Sequence, residues 1–502
     1  MLSIASATAG HGSYYLDLAR PDYYLEAGEP PGRWAGGGAE ALGLSGVVTR
    51  EAFEHLLGGH LPDGAALVQA QAGKAHKAGY DLTFSLPKSV SALWAVADEE
   101  TRRLIDELAD RAVDSALGYL EDTATFSRRG CRGLRLDRAK LVAAKFLHGS
   151  SRNLDPHLHM HVFVTNVCVR EDGTTGTLHG PPLFRAKMAA GALFRAELGS
   201  LLEKELGVET ARDRAGFRVE GVPEALTDRW SSRRHQIEEA LARRGLTSAK
   251  ASAVATLATR GEKVILPRAE LFRRWEGEAL EHSFTREAVR ELAGRRPVRD
   301  HEAELTDALR RALSRITHHQ SHFSERELVR FTAEEVQGRG VGAEEVLTGV
   351  GSLLSQSNEV VRLGVDRGEE RFTTQEILSL EARLLETAEA GRSDDSHTVS
   401  AGTVAEVLAA RPAITGEQAE ALLHVTFLLS AVREAFEREG FTVIGAALAG
   451  KAARGLEDGA GIPSSTLHAL LNRLNGGIAT VDARTVLVLD EAGMVGTRQM
   501  EE

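Results

Sequence analysis

The sequence predicts an α+β domain over residues 1–290, then a mainly helical region, then a partial parallel α/β unit. Three patterns carry this reading. Through residues 1–290 short apolar strands alternate with amphipathic helices, as in the helical pattern of Thr101–Leu120 and the strand pattern of Leu158–Val167. From Leu305 to about Leu385 the pattern is helical, closing on TTQEILSLEARLLETAEAG. After Ser400 helix, strand and turn alternate as VAEVLAARP, EQAEALL, FTVIGAAL and TVLVLDEAG, the order a parallel sheet requires. Between the first two patterns lies GRRPVRDHEAE, where Pro297 discourages a helix. A Gly/Ser/Asp stretch at Gly391–Asp395 closes the second. The expected parts are therefore a domain at 1–290, a linker at 291–304, a helical region at 305–395 and an α/β unit at 396–502.

With 502 residues and 42% hydrophobic content, the chain exceeds what one core usually organises. Aromatics make up only 5%, so Leu, Val and Ala must fill the cores. The formal charge of −12 argues against a uniformly basic coat for nucleic acid, and any such binding must rest on a local patch. One patch stands out: Arg128, Arg129, Arg132, Arg135, Arg138 and Lys140, opposed only by Asp137. From charge alone it reads equally well as a solvated strand edge. Cys131 and Cys168 are too few for a disulfide framework and lack the spacing of a zinc ribbon, which suits a reducing cytoplasm. The N-terminus lacks a basic region followed by an apolar run, and no stretch of about eighteen apolar residues occurs, so neither a cleaved export signal nor membrane insertion is expected.

The most specific stretch is Asp155-Pro-His157-Leu-His159-Met-His161-Val. At strand period His157, His159 and His161 share one face, and Leu158, Met160 and Val162 enter a core on the other. A lone histidine is usually structural, but aligned imidazoles place nitrogen donors where one cation can be shared. One strand supplies two comfortable ligands, so a third should come from a neighbour. His148 ends the apolar run LVAAKFLH, and GSSRNLDP supplies a loop that can return the chain antiparallel. Upstream, in Asp81-Leu-Thr-Phe-Ser-Leu-Pro-Lys88, Asp81, Thr83 and Ser85 share a face. Asp81 reads either as a solvated strand end or as a carboxylate that orients a ligand histidine and takes a proton from a nucleophile.

Four of the six tyrosines fall within SYYLDLARPDYY: Tyr14, Tyr15, Tyr23 and Tyr24. Alone they read as packing or surface stacking. Beside a metal site, a phenol of ordinary pKa about 10 becomes a nucleophile once a base removes its proton. A three-imidazole metal with an open position can bind a phosphodiester oxygen and hold phosphorus for phenolate attack. The product would be a phosphotyrosine ester that a later hydroxyl can reverse without ATP.

These residues resemble the MobF class of conjugative relaxases, the TrwC and TraI type within the HUH endonucleases. The resemblance rests on the opening MLSI, the SYY and DYY pairs, Trp34–Gly46, DLTFSLPKSV, and His148 followed by His159-x-His161, and it extends weakly to about residue 285. It implies an HUH fold with a five-stranded antiparallel sheet and flanking helices. By carry-over, Tyr14 is the nicking nucleophile, Tyr23 the tyrosine used at termination, and Tyr15 and Tyr24 supporting residues. Asp81 activates the tyrosine and orients a histidine, while His148, His159 and His161 are the metal ligands and His157 is not called for. The implied metal is Mg²⁺ or Mn²⁺, although imidazole softness also suits Zn²⁺, Ni²⁺ or Cu²⁺. The implied partners are single-stranded DNA with a hairpin at a transfer origin, accessory relaxosome proteins and a type IV secretion coupling protein. Arg128, Arg129, Arg132, Arg135 and Lys140 would contact the DNA backbone.

The third unit resembles the RecD-like helicase half, with a partial RecA-like fold, that follows this relaxase domain in the class. Ile414-Thr-Gly-Glu-Gln418 matches the adenine-reading glutamine motif, and Val486-Leu-Val-Leu-Asp490-Glu491 matches a Walker B strand. A Walker A loop should lie between Gln418 and Gly445, yet no glycine occurs between Gly416 and Gly440. The near match Gly445-x-x-x-x-Gly450-Lys451-Ala452 lacks the hydroxyl that ligates Mg²⁺ and resembles the next, DNA-contacting motif. The last residue, Glu502, precedes any later helicase motif. The expectation is a nicking and religating relaxase that uses no ATP. Two other readings differ from it: a DNA-binding remnant that does not cleave, and a metal esterase with structural tyrosines.

Overall fold

The computed structural model describes residues 2–7, 29–68, 77–130, 135–214, 216–243, 266–391, 398–411 and 426–501. The chain divides into two compact units, one of Met1–Leu313 with Glu325–Gln356, the other of Ser314–Ser324 with Ser357–Glu502. The first unit is organised by one sheet of β1 (Leu2–Ala7), β2 (Arg33–Ala35), β3 (Gly79–Ser85), β4 (Phe126–Arg129), β5 (Arg135–Ser150), β6 (Pro156–Arg170) and β7 (Thr175–Gly176). Its path is β1-β3-β6-β5-β2, with β4 added to β5 and β7 to β6, and every pairing is antiparallel. The path has the five strands that the resemblance implies, and the other two strands are short additions.

Among the described residues, helices cover the sheet unevenly, and that places the site. The first-unit helices used below are α1 (Arg50–Leu57), α2 (Lys88–Val96), α3 (Glu99–Ala124), α4 (Pro181–Leu201), α5 (Ser232–Ala242) and α6 (Arg268–Leu280). The side chains of Thr49 and Asp98 cap α1 and α3 by accepting the Ala52 and Thr101 N–H groups. One sheet face lies under α3 and α4. There Phe84 meets Phe194 at 5.1 Å, and Lys145 Nζ sits 2.7 Å from both Asp110 and Asp114. On the opposite face α1 covers only the apolar part, where Phe53 packs edge-on against Phe146 at 5.8 Å and Phe163 at 5.4 Å. Burying such a ring is worth about 1.5–3 kcal/mol. The rest of that face carries the histidines.

The stretch at 291–304, expected as a linker, is tied into the first unit. Between Glu203 and the hairpin of β8 (Thr210–Asp213) and β9 (Gly216–Val219), Arg299 donates to both oxygens of buried Glu203, at 2.9 and 3.1 Å, and to Thr210 O at 2.8 Å. A guanidinium fork can fix an extended segment as firmly as a helix would. The helices α7 (His301–Thr317), α8 (Glu325–Glu335) and α9 (Ala343–Gln356) follow, and α8 and α9 pack on α4.

The region expected to be mainly helical is so, and the part of it that lies in the second unit adds a hairpin. This hairpin is formed by β10 (Val360–Asp366) and β11 (Glu369–Thr374), turning at Arg367 and Gly368 with φ of 50° and 80°. Two consecutive positive φ values match the twist of a tight hairpin. The second unit continues with α10 (Gln375–Gly391), α11 (Ala401–Ala409), α12 (Thr426–Arg438), β12 (Thr442–Ala447), α13 (Gly450–Ala460), β13 (Ser464–Thr466), α14 (Leu467–Asn475) and β14 (Thr485–Asp490). The last three strands form the expected parallel sheet, in the order β13-β12-β14. No helix among the described residues is long and apolar enough to cross a membrane.

Candidate metal centre

Strands β5 and β6 form a long hairpin whose register sets His148 directly opposite His159 and Phe146 opposite His161. Side chains of directly opposed residues share a face, so His148, His159 and His161 converge while Leu158, Met160 and Val162 are buried on the reverse. The rings form a nearly equilateral triangle, with centroids 5.1, 5.2 and 5.3 Å apart. One nitrogen from each lies within 4.8 Å of the others. Small ring rotations bring such a set onto one ion at about 2.0–2.1 Å.

Hydrogen bonds fix which nitrogen each β6 ring presents. His159 Nδ1 donates to His157 O at 2.8 Å, and His161 Nδ1 donates to Asp81 Oδ1 at 3.0 Å. Both bonds select the tautomer with its lone pair on Nε2. Asp81 reaches His161 because β3 pairs with β6, setting Thr83 opposite His161 and Asp81 one strand repeat away on the same face. Thr83 Oγ1 lies 3.2 Å from the same Nδ1. Three neutral imidazoles held this way fit a divalent ion.

His157 shares the face but stacks on His159, at 4.7 Å and 26°, outside the triangle. Burial first, and then the charge of His159, holds its pKa well below the ordinary imidazole range. The loop between β5 and β6 is fastened from outside the sheet. Trp275 of α6 donates to Leu154 O at 2.8 Å, and Ser232 at the start of α5 donates to Asp155 Oδ2 at 2.6 Å. Lys88, first residue of α2, donates to Pro156 O at 2.8 Å where β6 begins. Burial lowers the Lys88 pKa to about 8, against the opposing pull of Asp155.

Sequence reasoning missed one carboxylate here. Glu29 Oε1 accepts the Gly149 N–H at 3.2 Å, and its Oε2 lies 3.9 Å from His148 Nε2. Nothing local marks this residue, since its contact spans 120 positions. The one signal was Gly149, whose lack of a side chain lets the strand pass close to the ring of Trp94, where any Cβ would collide.

The other described residues expected at the site lie elsewhere. Tyr14, Tyr15, Tyr23, Tyr24, Arg132 and Gln418 lie outside the described residues. Arg135, Arg138 and Lys140 precede His148 on β5 by roughly 43, 33 and 26 Å of extended strand, and Arg128 and Arg129 pair with the start of β5. Several are engaged: Arg129 with Asp172 and Asp137, Arg135 with Asp137 at 2.6 Å, and Arg138 with Asp122 O at 2.6 Å. Asp490 ends β14, and Glu491 follows with a φ of 55°. Gly450 and Lys451 open α13, but only Leu448 and Ala449 separate that helix from β12. Two residues are too few to wrap a loop of amides around phosphates.

The signature of the TrwC relaxase family matches residues 8–282, and that of an AAA domain matches residues 425–502. The multifunctional conjugation protein TraI of Escherichia coli is 32% identical over 404 residues, covering 76% of this chain and 21% of that protein. A probable conjugal transfer protein TraA of Sinorhizobium fredii is 33% identical over 208 residues, 38% of this chain and 19% of its own. The chain thus spans about a fifth of the length of these curated relatives. Among solved structures, a copper-bound conjugative relaxase TrwC in complex with oriT DNA is similar with a TM-score of 0.51 and 32% identity, covering 57% of this chain and 99% of that one. TrwC complexed with a 27-mer DNA comprising the recognition hairpin and the cleavage site is similar with a TM-score of 0.50 and 31% identity, over the same shares.

Proposed function

The chain belongs to the TrwC relaxase family, and from that premise we propose that it nicks and rejoins one DNA strand at a transfer origin through Tyr14. The observation that carries this reading is the His148, His159 and His161 triangle with Asp81 on the Nδ1 of His161. Bound there, a divalent ion would draw negative charge from a non-bridging oxygen of the scissile phosphate. Mg²⁺ or Mn²⁺ is the proposed ion, and the copper-bound relative agrees with the softness of the imidazole set.

Asp81 holds His161 and takes the phenolic proton of Tyr14. The phenolate oxygen attacks phosphorus, the P–O3′ bond breaks, and the departing 3′ oxygen gains a proton. The 5′ phosphate remains on the tyrosine. Attack by a 3′ hydroxyl on that ester reverses each change and releases the phenol, and Tyr23 serves the same chemistry when transfer terminates. Tyr15 and Tyr24 support the two nucleophiles. Chain geometry accommodates this assignment. Ala5 of β1 pairs with Asp81, and Tyr14 is seven residues beyond Ala7, a reach of at most about 25 Å.

The proposed substrate is single-stranded DNA beside a hairpin, and a complex of TrwC holds a 27-mer DNA comprising the recognition hairpin and the cleavage site. Backbone contacts at Arg128, Arg129, Arg132, Arg135 and Lys140 would engage this substrate. Accessory relaxosome proteins and a secretion coupling protein are the proposed partners, in a bacterial cytoplasm. The second unit is proposed to lack ATPase and helicase activity, on the short β12–α13 connection and the missing Walker A sequence. Gln418, Asp490 and Glu491 would then be remnants of a nucleotide site.

The test is incubation of the purified chain with origin DNA and Mg²⁺ or Mn²⁺, followed by a denaturing gel. The expected result is a covalent 5′-phosphotyrosyl adduct that Tyr14→Phe reduces strongly. Hairpin binding without cleavage would identify a DNA-binding remnant instead, and DNA-stimulated ATP hydrolysis would overturn the proposal for the second unit.

A further inference from the structure

Three neutral imidazoles leave the double charge of a divalent ion uncompensated, so the carboxylates around the triangle matter. Sheet order brings one from each side. Asp81 comes from β3, next to β6, while Glu29 lies just before β2, which pairs with the outer edge of β5. Asp81 touches His161, and Glu29 stands 3.9 Å from His148 Nε2. His148 and Glu29 are both largely shielded, with side chains 8% and 15% exposed, so solvent screens their interaction weakly.

We infer that Glu29 is a positioning residue of the metal centre, supplying beside His148 the second negative charge that Asp81 supplies beside His161. The inference rests on the metal-dependent reading above. The Gly149 N–H holds one oxygen of Glu29, which aims the other at His148. Gly149 in turn can approach because it has no side chain to meet Trp94. The arrangement joins the chain five residues after Tyr24 to the end of the strand that carries a ligand histidine. An outer carboxylate of this kind typically changes metal affinity by about 10- to 100-fold.

The experiment titrates Mn²⁺ into the full chain without DNA, reading free Mn²⁺ by electron paramagnetic resonance, for wild type, Glu29→Gln and Glu29→Asp. Glutamine keeps an acceptor for the Gly149 N–H and removes the charge, whereas aspartate restores the charge. The expected result is affinity at least tenfold weaker in Glu29→Gln and largely recovered in Glu29→Asp, with matching circular dichroism. Binding by Glu29→Gln within twofold of wild type would overturn the role of Glu29 and leave the relaxase reading intact. Equal loss in both variants would overturn the charge role in favour of packing. Absence of Mn²⁺ binding by wild type would remove the metal-dependent reading and this inference together.

Discussion

The histidine face of the first unit and the acidic strand end of the second both carry motifs, but their surroundings differ. In the first, the register of two long strands places three imidazoles on one spot, and the hydrogen bonds that His161 and His159 donate to Asp81 and to the His157 carbonyl set the tautomers of those two. The opposite side of the same strands is filled by Leu158, Met160 and Val162, each at most 2% exposed, so the rings sit on a rigid base. In the second, Asp490 ends a strand that, among the described residues, is at the edge of a three-stranded sheet and is partly or fully exposed along its length. The helix that opens with Gly450 and Lys451 follows its strand after two residues. A motif becomes a site only where the backbone supplies the remaining groups.

Removing a ligand should break the first region most severely. His159→Ala leaves two imidazoles, and Mn²⁺ affinity should fall by more than about 100-fold, beyond what the loss of an outer partner causes. Calorimetric titration of the full chain measures it. Retained affinity would mean that His157, already stacked on His159, can substitute as a ligand. Asp81→Asn should act less strongly, weakening Mn²⁺ by about 10- to 100-fold, because the amide can still bond to His161 but no longer carries charge. An affinity unchanged in Asp81→Asn would assign Asp81 wholly to the tyrosine step.

The contrast was only partly legible in the sequence. Strand period and a Gly/Ser/Asn/Asp/Pro loop predict the β5–β6 hairpin and its histidine face, because both signals are local. Asp81 was legible as a residue with two readings, and the β3–β6 register brings it onto His161. Glu29 was not legible, since its place depends on β2 pairing with β5, more than a hundred residues on. The β10–β11 hairpin was lost for another reason: its Arg-Gly turn lies between two strongly helical stretches whose period dominates any window across it. Similarly, the 291–304 stretch looks like a linker by composition, and long-range contacts such as the Arg299–Glu203 fork and the Arg296 N–H to Gly207 O bond make it structural.

A smaller effect tests how firmly the histidine strand is anchored. Lys88, which holds Pro156 O at the head of β6, has its pKa lowered by burial from 10.5 to about 8. Between those values the unfolded chain binds a proton that the folded chain does not, so this group makes stability rise with pH there. Its unfavourable contribution is fully present below pH 8 and fades as pH approaches 10.5. Thermal unfolding from pH 8 to 10 should therefore show Lys88→Met losing part of the wild-type rise. Parallel pH profiles for the two proteins would mean that the ammonium is solvated and the anchor loose.

The smallest expected effect belongs to the second region. If the turn before α13 is no phosphate site, ATP with Mg²⁺ should leave the melting profile unchanged in wild type and in Lys451→Ala. The measurement has adequate reach, because a ligand at about 100 times its Kd stabilises the state it binds by about 2.7 kcal/mol, a shift of several degrees for a small unit. The two-residue connection from Ala447 to Gly450 gives the physical basis for expecting none. A shift in wild type that Lys451→Ala removes would show that the helix N-terminus and its lysine suffice to hold a triphosphate. The distinction between the two regions would then be one of degree, set by how many backbone groups each can direct at its ligand.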